Sequence, residues 1–468
     1  MSCKIDKSTE LAGRNMAILT DWVSQEIHYS AFDDFRHGKR LRAVVGCLSK
    51  QPSQSVPQAS EHKSESQSIY RLWANKRVKP EQIRASHRMS VIDRVNQHNI
   101  VLAIQDTTDL DFTSHPQTSG LGFIHQGKQQ GIKVHSCIGV SGDGEPLGLL
   151  AQHNWIRTEQ KGKRGQRRKK ETIDKESQRW LDTLKAAEIG VNSQVKLIHM
   201  GDREADIFDL FVMPRQANNE LLIRAEHNRK VQHELDYLIP SIEQAAVMGQ
   251  MKIEIPRNPE RSARTACLEM RAMAVTIEVP RHHKQRSTYE PVELNIILVE
   301  EVNPSKEVCP IRWLLLTTLP VETLAQVWQC VRWYSLRWLI ERFHYTLKSG
   351  CKIEQLQLET KDRLLNALAT YSIVAWRLMY LTYCARLHPA ESCEIALLPA
   401  EWKLLRRKFE PKNRSRQPPT LHQAVGWIAR LGGFLARKND GEPGLKTIWR
   451  GIGILHHLLE GSQLTPKT

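Results

Sequence analysis

Three acidic side chains in this 468-residue chain stand where a fold could aim them at a ligand. Asp106 closes the apolar run 100–105, IVLAIQ, and Asp202 follows the run 195–200, VKLIHM, after Gly201. Both runs read as buried strands, and a carboxylate at a strand end is held by a rigid sheet. Such oxygens are natural ligands of hard divalent cations such as Mg²⁺. A strand-end aspartate also suits the cap of a following turn or helix, so neither residue decides the matter alone. Glu341 has company: Tyr334, Arg337, Glu341 and Lys348 are spaced by three, four and seven residues. On a helix that spacing gathers them into a sector of roughly 60° to 100°. Glu341 could ligate a metal, Arg337 and Lys348 could hold phosphates, and Tyr334 could offer a hydrogen bond. An Arg337–Glu341 pair on a solvent-facing helix would have the same spacing and contribute only about 0.3 kcal/mol. The flanking Trp333, Leu336, Trp338, Leu339 and Phe343 argue instead that the rest of this helix is buried.

The acidic and histidine neighbours read differently. Asp109 and Asp111 fall in a polar turn after the first strand, and Glu204 and Asp206 at a helix start, as caps or supporting groups. The pairs His282-His283 and His456-His457 have no matching ligand set and read as surface residues. His344 lies near enough to the helical face to reach a nucleic acid.

The elements that must position these groups follow from hydrophobic period. Residues 8 to 50 read helical, with Leu11, Met16, Leu19, Trp22 and Val23 at near-helical spacing, followed by the basic cluster Arg36, Lys39, Arg40 and Arg42. Residues 51–66 are polar and Pro-containing and read as a loop. A second helical region, from Gln67 to about Val95, interleaves Arg71, Lys76, Arg77, Arg84 and Arg88 with Tyr70 and Trp73, a mixture that suits a DNA backbone. Runs at 132–140 and 147–155, split by Gly142, Asp143, Gly144 and Pro146, predict a hairpin. Arg157 and Lys161 to Lys170 form a basic surface loop suited to phosphates. Residues 221–320 are β-rich; long helices are predicted from about Val321 to Ser349 and from about Leu364 to Leu387, and the tail is helical apart from the break at 409–420. Strands in a meander followed by strand–helix alternation predict an α/β core with a mixed sheet.

Composition points the same way. There are 67 Lys and Arg against 51 Asp and Glu, a net charge of +16, which favours a polyanionic partner through phosphate neutralisation. The length suggests roughly two to four domains, and 40 % hydrophobic residues can supply their cores. Nine cysteines, odd in number and without a C-x-x-C pair, argue against a disulfide framework and a structural zinc site. No apolar run opens the chain, and no segment reads as approaching the roughly 18 apolar residues of a membrane span. The expectation is a soluble, cytoplasmic protein with no membrane partner.

The segment Tyr334–Lys348, YSLRWLIERFHYTLK, resembles the Y-x2-R-x3-E-x6-K signature of the DDE transposases of insertion-sequence family four, the group that contains the transposon-five transposase. Gly201–Ile207, GDREADI, is similar to the block around that family's second Asp, and Ile104–Thr108, IQDTT, to the block around its first. Residues 311–326 and 428–438 also look familial, so the resemblance runs in order over nearly the whole chain. It implies an RNase H-like catalytic core with Asp106, Asp202 and Glu341 holding two Mg²⁺ ions, for which Mn²⁺ can substitute. It implies a helical DNA-end-binding domain at 1–79, in which Arg36, Arg40 and Arg71 would contact DNA, and a catalytic domain at 80–388 with 221–320 as a β-rich insertion. A helical dimerisation domain would follow at 389–468. Trp313 would stack on a flipped base during hairpin formation, although RWLLLTTL on its own reads as core. The activity implied is cut-and-paste transposition by a homodimer bridging two terminal repeats: hydrolysis at the transposon ends, then 3′-OH strand transfer into target DNA. Leu339 and Arg342 depart from the family pattern, as does the more basic loop at 156–172, and none of these removes a signature residue. Two further readings remain open on sequence: a catalytically silent DNA-binding regulator, and an RNase H-type nuclease without strand transfer.

Overall fold

The computed structural model describes residues 22–125, 128–158, 172–255, 264–284, 286–304, 309–438 and 440–464. The predicted helical start with Leu11, Met16 and Leu19, and the basic run from Lys161 to Lys170, lie outside the described residues. The chain forms two compact units: Val91–Lys348 with Gln357–Lys361, and the remainder, which joins the N-terminal residues to Ser349–Leu356 and the residues from Asp362 onward.

The first unit is built on one ten-stranded sheet. Its strands are β1 (Ile100–Asp111), β2 (Gly122–Phe123), β3 (Gln130–Ser141), β4 (Pro146–Trp155), β5 (Lys196–Gly201), β6 (Asn219–Arg224), β7 (Val247–Ile255), β8 (Arg264–Ile277), β9 (Val292–Glu301) and β10 (Arg312–Thr317). Their order is β2-β3-β1-β5-β6-β10-β9-β8-β7, with β4 paired to β3. β1 runs parallel to β5, and β5 parallel to β6, whereas β3 and β4 join antiparallel through the predicted Gly142–Gly144 turn. This half has the mixed connectivity expected of an RNase H-like core. Val101, Leu102, Ala103 and Ile104 are fully buried because both sheet faces are covered, which is why this run lacks alternation. The helix Gln178–Glu188 packs on β3 and β4, and Val91 and Val95 close the same hydrophobic cluster. Gly148 admits Val91: an added Cβ there would meet Val91 Cγ2 at 2.2 Å, and its φ is +142°.

The β-rich block is continuous with the core. β10 pairs antiparallel with β6, so β7 to β10 extend the catalytic sheet. In β8 the burial alternates, leaving one wet face and one face packed with the helix Leu238–Gln244.

Three predicted elements change here. β1 does not end at Asp106 but continues to Asp111, because residues 106–111 pair with β3 residues 131–136. Asp109 and Asp111 therefore lie in the strand, and Asp109 pairs with Lys133. The single helix expected from about Val321 to Ser349 is three pieces: Leu324–Ser335, Trp338–Tyr345 and a widened π turn at Thr346–Gly350. Between the first two, Leu336, Arg337, Leu339 and Ile340 donate to the carbonyls three residues back, a tightened turn. Thr323 caps the first piece through the Gln326 amide, so the helix starts at Leu324.

The second unit is helical. Its N-terminal part carries Trp22–Glu26, Phe35–Lys50, Val56–Ala59, Lys63–Ala74 and the start of Pro80–Val95. The region expected as one helix from Gln67 to Val95 is thus two, separated by the turn before Pro80, and the expected loop at 51–66 holds a helical turn and the start of the next helix. Lys361–Leu387 runs through this unit and is long and apolar enough, by length and composition, to cross a membrane. That corrects the sequence expectation; 89 % of its apolar window is buried inside the protein. Asn366 on this helix donates to the carbonyls of Trp73 (3.1 Å) and Val78 (3.2 Å), fastening the end of Lys63–Ala74 to it. The tail helices Pro399–Phe409, Leu421–Leu431 and Leu445–Leu464 pack on one another, and Thr420 caps the second after the predicted break.

Candidate active site

Parallel pairing between β1 and β5 stops at Ile104 with Met200, two residues before Asp106. Beyond that point β1 keeps β3 on one side and loses its neighbour on the other, so Asp106 stands at an opening in the sheet. Asp202 follows β5 directly, with its carboxylate accepting from the Glu204 amide at 2.9 Å. The capping role foreseen for a strand-end aspartate is therefore real, and it leaves the second carboxylate oxygen available. Gly201 is needed at this corner: a Cβ would meet Ala205 Cβ at 2.4 Å and a Trp180 ring carbon at 2.8 Å.

The helix Trp338–Tyr345 packs on β1 and brings the third carboxylate. Glu341 is exposed and ion-paired to Arg337. Tightening at Leu336–Arg337 stacks Tyr334 and Arg337 on one side, since residues three apart eclipse in such a turn. Tyr334 is buried, and its ring meets Trp313 edge-on at 5.4 Å between centroids. Trp313 itself is half-buried at the start of β10, neither pure core nor free surface. Lys348 lies on the π turn; the Asp111 carboxyl is held below its usual range by Thr113 hydrogen bonds that outweigh burial, with His125 and then Lys348 adding.

Electrostatics tie these groups together. Burial, then the charge of Asp202, pushes Asp106 up to about 7; Glu341 adds to this, against the Thr107 amide (2.8 Å) and Arg337. Asp202 is also raised, by burial first, with Glu204 adding and Arg337 and Arg179 opposing. Arg337 is held in its charged form, despite burial, by Tyr334, Glu341 and Asp106. Asp106, Asp202 and Glu341, about one guanidinium, are all-oxygen groups of the kind that hard divalent cations take. Among the described residues, no three His, Cys, Asp or Glu side chains converge closely enough to hold one ion as they stand.

His344, read as within reach of a nucleic acid, is buried here, with Nδ1 3.9 Å from an Asp106 oxygen, and burial depresses its pKa to about 3. Asp206 is a structural anchor, buried against Arg229 at 2.5 Å and accepting from the amides of Glu226 and His227. Of the histidines read as surface residues, His282 and His457 are exposed, whereas His283 is half-buried against Phe208 and Tyr289 and His456 is half-buried and paired with Glu401 at 3.6 Å. Sequence reasoning also missed Arg179, a buried guanidinium beside the site, whose only signal is a cation adjoining the buried stripe Trp180, Leu181 and Leu184.

In the helical unit, Arg36, Arg40 and Arg71 are exposed. Arg36 forks onto Asp34, its helix N-cap, at 3.0 and 2.8 Å. Asp34 is pulled down to about 2 by that partner.

Comparison with known families agrees with this geometry. Residues 19–78 match the family described as transposase DNA-binding, residues 148–377 the transposase DDE domain, and residues 373–466 the transposase Tn5 dimerisation domain. The DDE match contains Asp202, Trp313, Tyr334, Arg337, Glu341 and Lys348, while Asp106 precedes it. The matched domains account for a metal-dependent nuclease and strand transferase that binds DNA and dimerises, built on an α/β catalytic core between helical flanks. The chain belongs to the DDE transposases, similar to the transposon-five transposase.

Proposed function

We propose that this transposase moves its element by cut-and-paste, with Asp106, Asp202 and Glu341 as the carboxylates that hold two Mg²⁺ ions, or Mn²⁺ in their place. The observation that carries the reading is the placement of three carboxylates, on β1, at the end of β5 and on the helix Trp338–Tyr345, within electrostatic reach of Arg337. When bound, the divalent cations activate water or a 3′-hydroxyl for in-line attack on phosphorus. Asp106 and Asp202 fix the donor positions from the sheet, and Glu341 completes the set on leaving Arg337. The freed Arg337, with Lys348, pairs with the DNA phosphates, and the buried Tyr334 backs Trp313. Trp313, half-buried, offers a face on which an unstacked base of a hairpin end can rest. Nicking, hairpin formation by the freed 3′-OH, hairpin opening and attack on target DNA follow at the same site.

Residues 1–79 engage the terminal repeat through Arg36, Arg40 and Arg71. Residues 80–388, including the 221–320 insertion, carry the chemistry, and 389–468 join two copies in a synaptic complex. The work takes place in the cytoplasm, on nucleoid DNA. The test is incubation of the purified protein with DNA carrying its own element ends, with Mg²⁺ or with EDTA, resolved on denaturing gels. Nicks, hairpins and joined products that need Mg²⁺ support the reading. Binding without cleavage makes the protein a silent regulator, and cleavage without joined product makes it a nuclease.

A further inference from the structure

Asp106 lies on β1 and Asp202 just past the end of β5, and backbone pairing between those strands ends before either is reached. A side-chain path replaces it. Thr107, next to Asp106, accepts at its hydroxyl from Arg179 Nε at 3.0 Å. Arg179 Nη2 pairs with Glu204, and the Glu204 amide donates to Asp202. The guanidinium is 9 % exposed and fixed further by the Glu176 carbonyl at 2.7 Å. It lies over the Trp155 and Trp180 rings at 5.3 and 5.7 Å. On the other side of Thr107, His135 shares the hydroxyl at 2.8 Å and reaches Gln105 at 3.1 Å.

We propose that Arg179 is a positioning residue that sets the separation of Asp106 and Asp202 by bridging Thr107 and Glu204. A planar fork can meet both at once from one side chain, whereas a lysine ammonium offers one charge centre and cannot span them. Groups that orient metal ligands without touching the metal typically change affinity by about 10- to 100-fold when removed. This inference rests on the reading of the two aspartates as metal ligands.

The test measures Mn²⁺ binding to the full-length protein by electron paramagnetic resonance, alongside the Mn²⁺ dependence of end nicking. Arg179→Gln and Arg179→Lys should each weaken Mn²⁺ binding about 10- to 100-fold while end binding in gel shift is retained. Glu204→Gln, at a side chain that is 62 % exposed and so tolerates replacement, should weaken it by about 10-fold, the lower end of that range, even if the Arg179 variants fail to fold. Combining Glu204→Gln with Arg179→Gln should add little to the single loss. Asp106→Ala and Asp202→Ala are the separating controls. If they abolish Mn²⁺ binding while folded Arg179→Lys and Glu204→Gln bind as wild type, the positioning role is overturned. If the aspartate variants bind Mn²⁺ normally, the ligand assignment itself is wrong.

Discussion

Replacing Asp106 by Asn should make the metal-free protein more stable. Folding holds this carboxyl at about 7, against an ordinary value of 3.8, because it is buried beside Asp202 and Glu341. Its charged form is thus disfavoured roughly a thousandfold in the native state, a cost of about 4 kcal/mol at alkaline pH. Asparagine removes the charge and keeps an oxygen that can accept from the Thr107 amide. The sign follows from linkage. A carboxyl raised on folding costs stability in full above its folded value, and the cost fades as pH falls toward the unfolded value. The gain from Asp106→Asn should therefore be about 4 kcal/mol near pH 8, about 1.5 near pH 5 and below about 1 near pH 4. The assay is urea denaturation in EDTA at these pH values, following the sheet-bearing unit by far-ultraviolet circular dichroism. Added Mn²⁺ should then stabilise wild type and not the variant. A variant no more stable than wild type near pH 8, or one with a gain that does not depend on pH, would refute the reasoning.

Other outcomes follow from the same geometry. Gly201→Ala should cost about 1 to 3 kcal/mol, since its Cβ collides with Ala205 and Trp180; nicking should fall further than stability because Asp202 is displaced, and denaturation with nicking measured side by side would show it. Asn366→Leu leaves the Trp73 and Val78 carbonyls without their donor, so the helical unit should lose about 2 to 3 kcal/mol in urea denaturation. Trp313→Ala should leave the first nick within about twofold and lower hairpin yield about 10-fold or more, as lost base stacking would, on a time course of both products. Arg337→Ala frees Glu341 from its ion pair and removes a phosphate contact; Mn²⁺ binding without DNA should hold or tighten while end cleavage drops, which metal titration and a cleavage assay separate.

Legibility from sequence varied with the range of the forces involved. The run ahead of Asp202 ended where its apolar pattern ended, because β5 is buried and short. β1 outran its pattern: Asp109 and Asp111, residue types depleted in strands, are held in place by β3. The helical break at Leu336–Arg337 has neither Gly nor Pro to mark it, and what distinguishes the second piece is its packing on β1. The 221–320 block was legible as β-rich, but its continuity with the sheet that carries Asp106 depends on β6–β10 pairing across distant sequence. Arg179 is 72 residues from Thr107 and 25 from Glu204, a link that no local pattern encodes.

The most direct test of the central claim is end cleavage by Asp106→Ala, Asp202→Ala and Glu341→Ala proteins in Mg²⁺, with end binding measured on the same preparations. The account predicts that each variant still shifts the DNA and that nicks, hairpins and joined products vanish in all three. Cleavage that survives any one replacement would contradict it, and would mean that other side chains hold the metal.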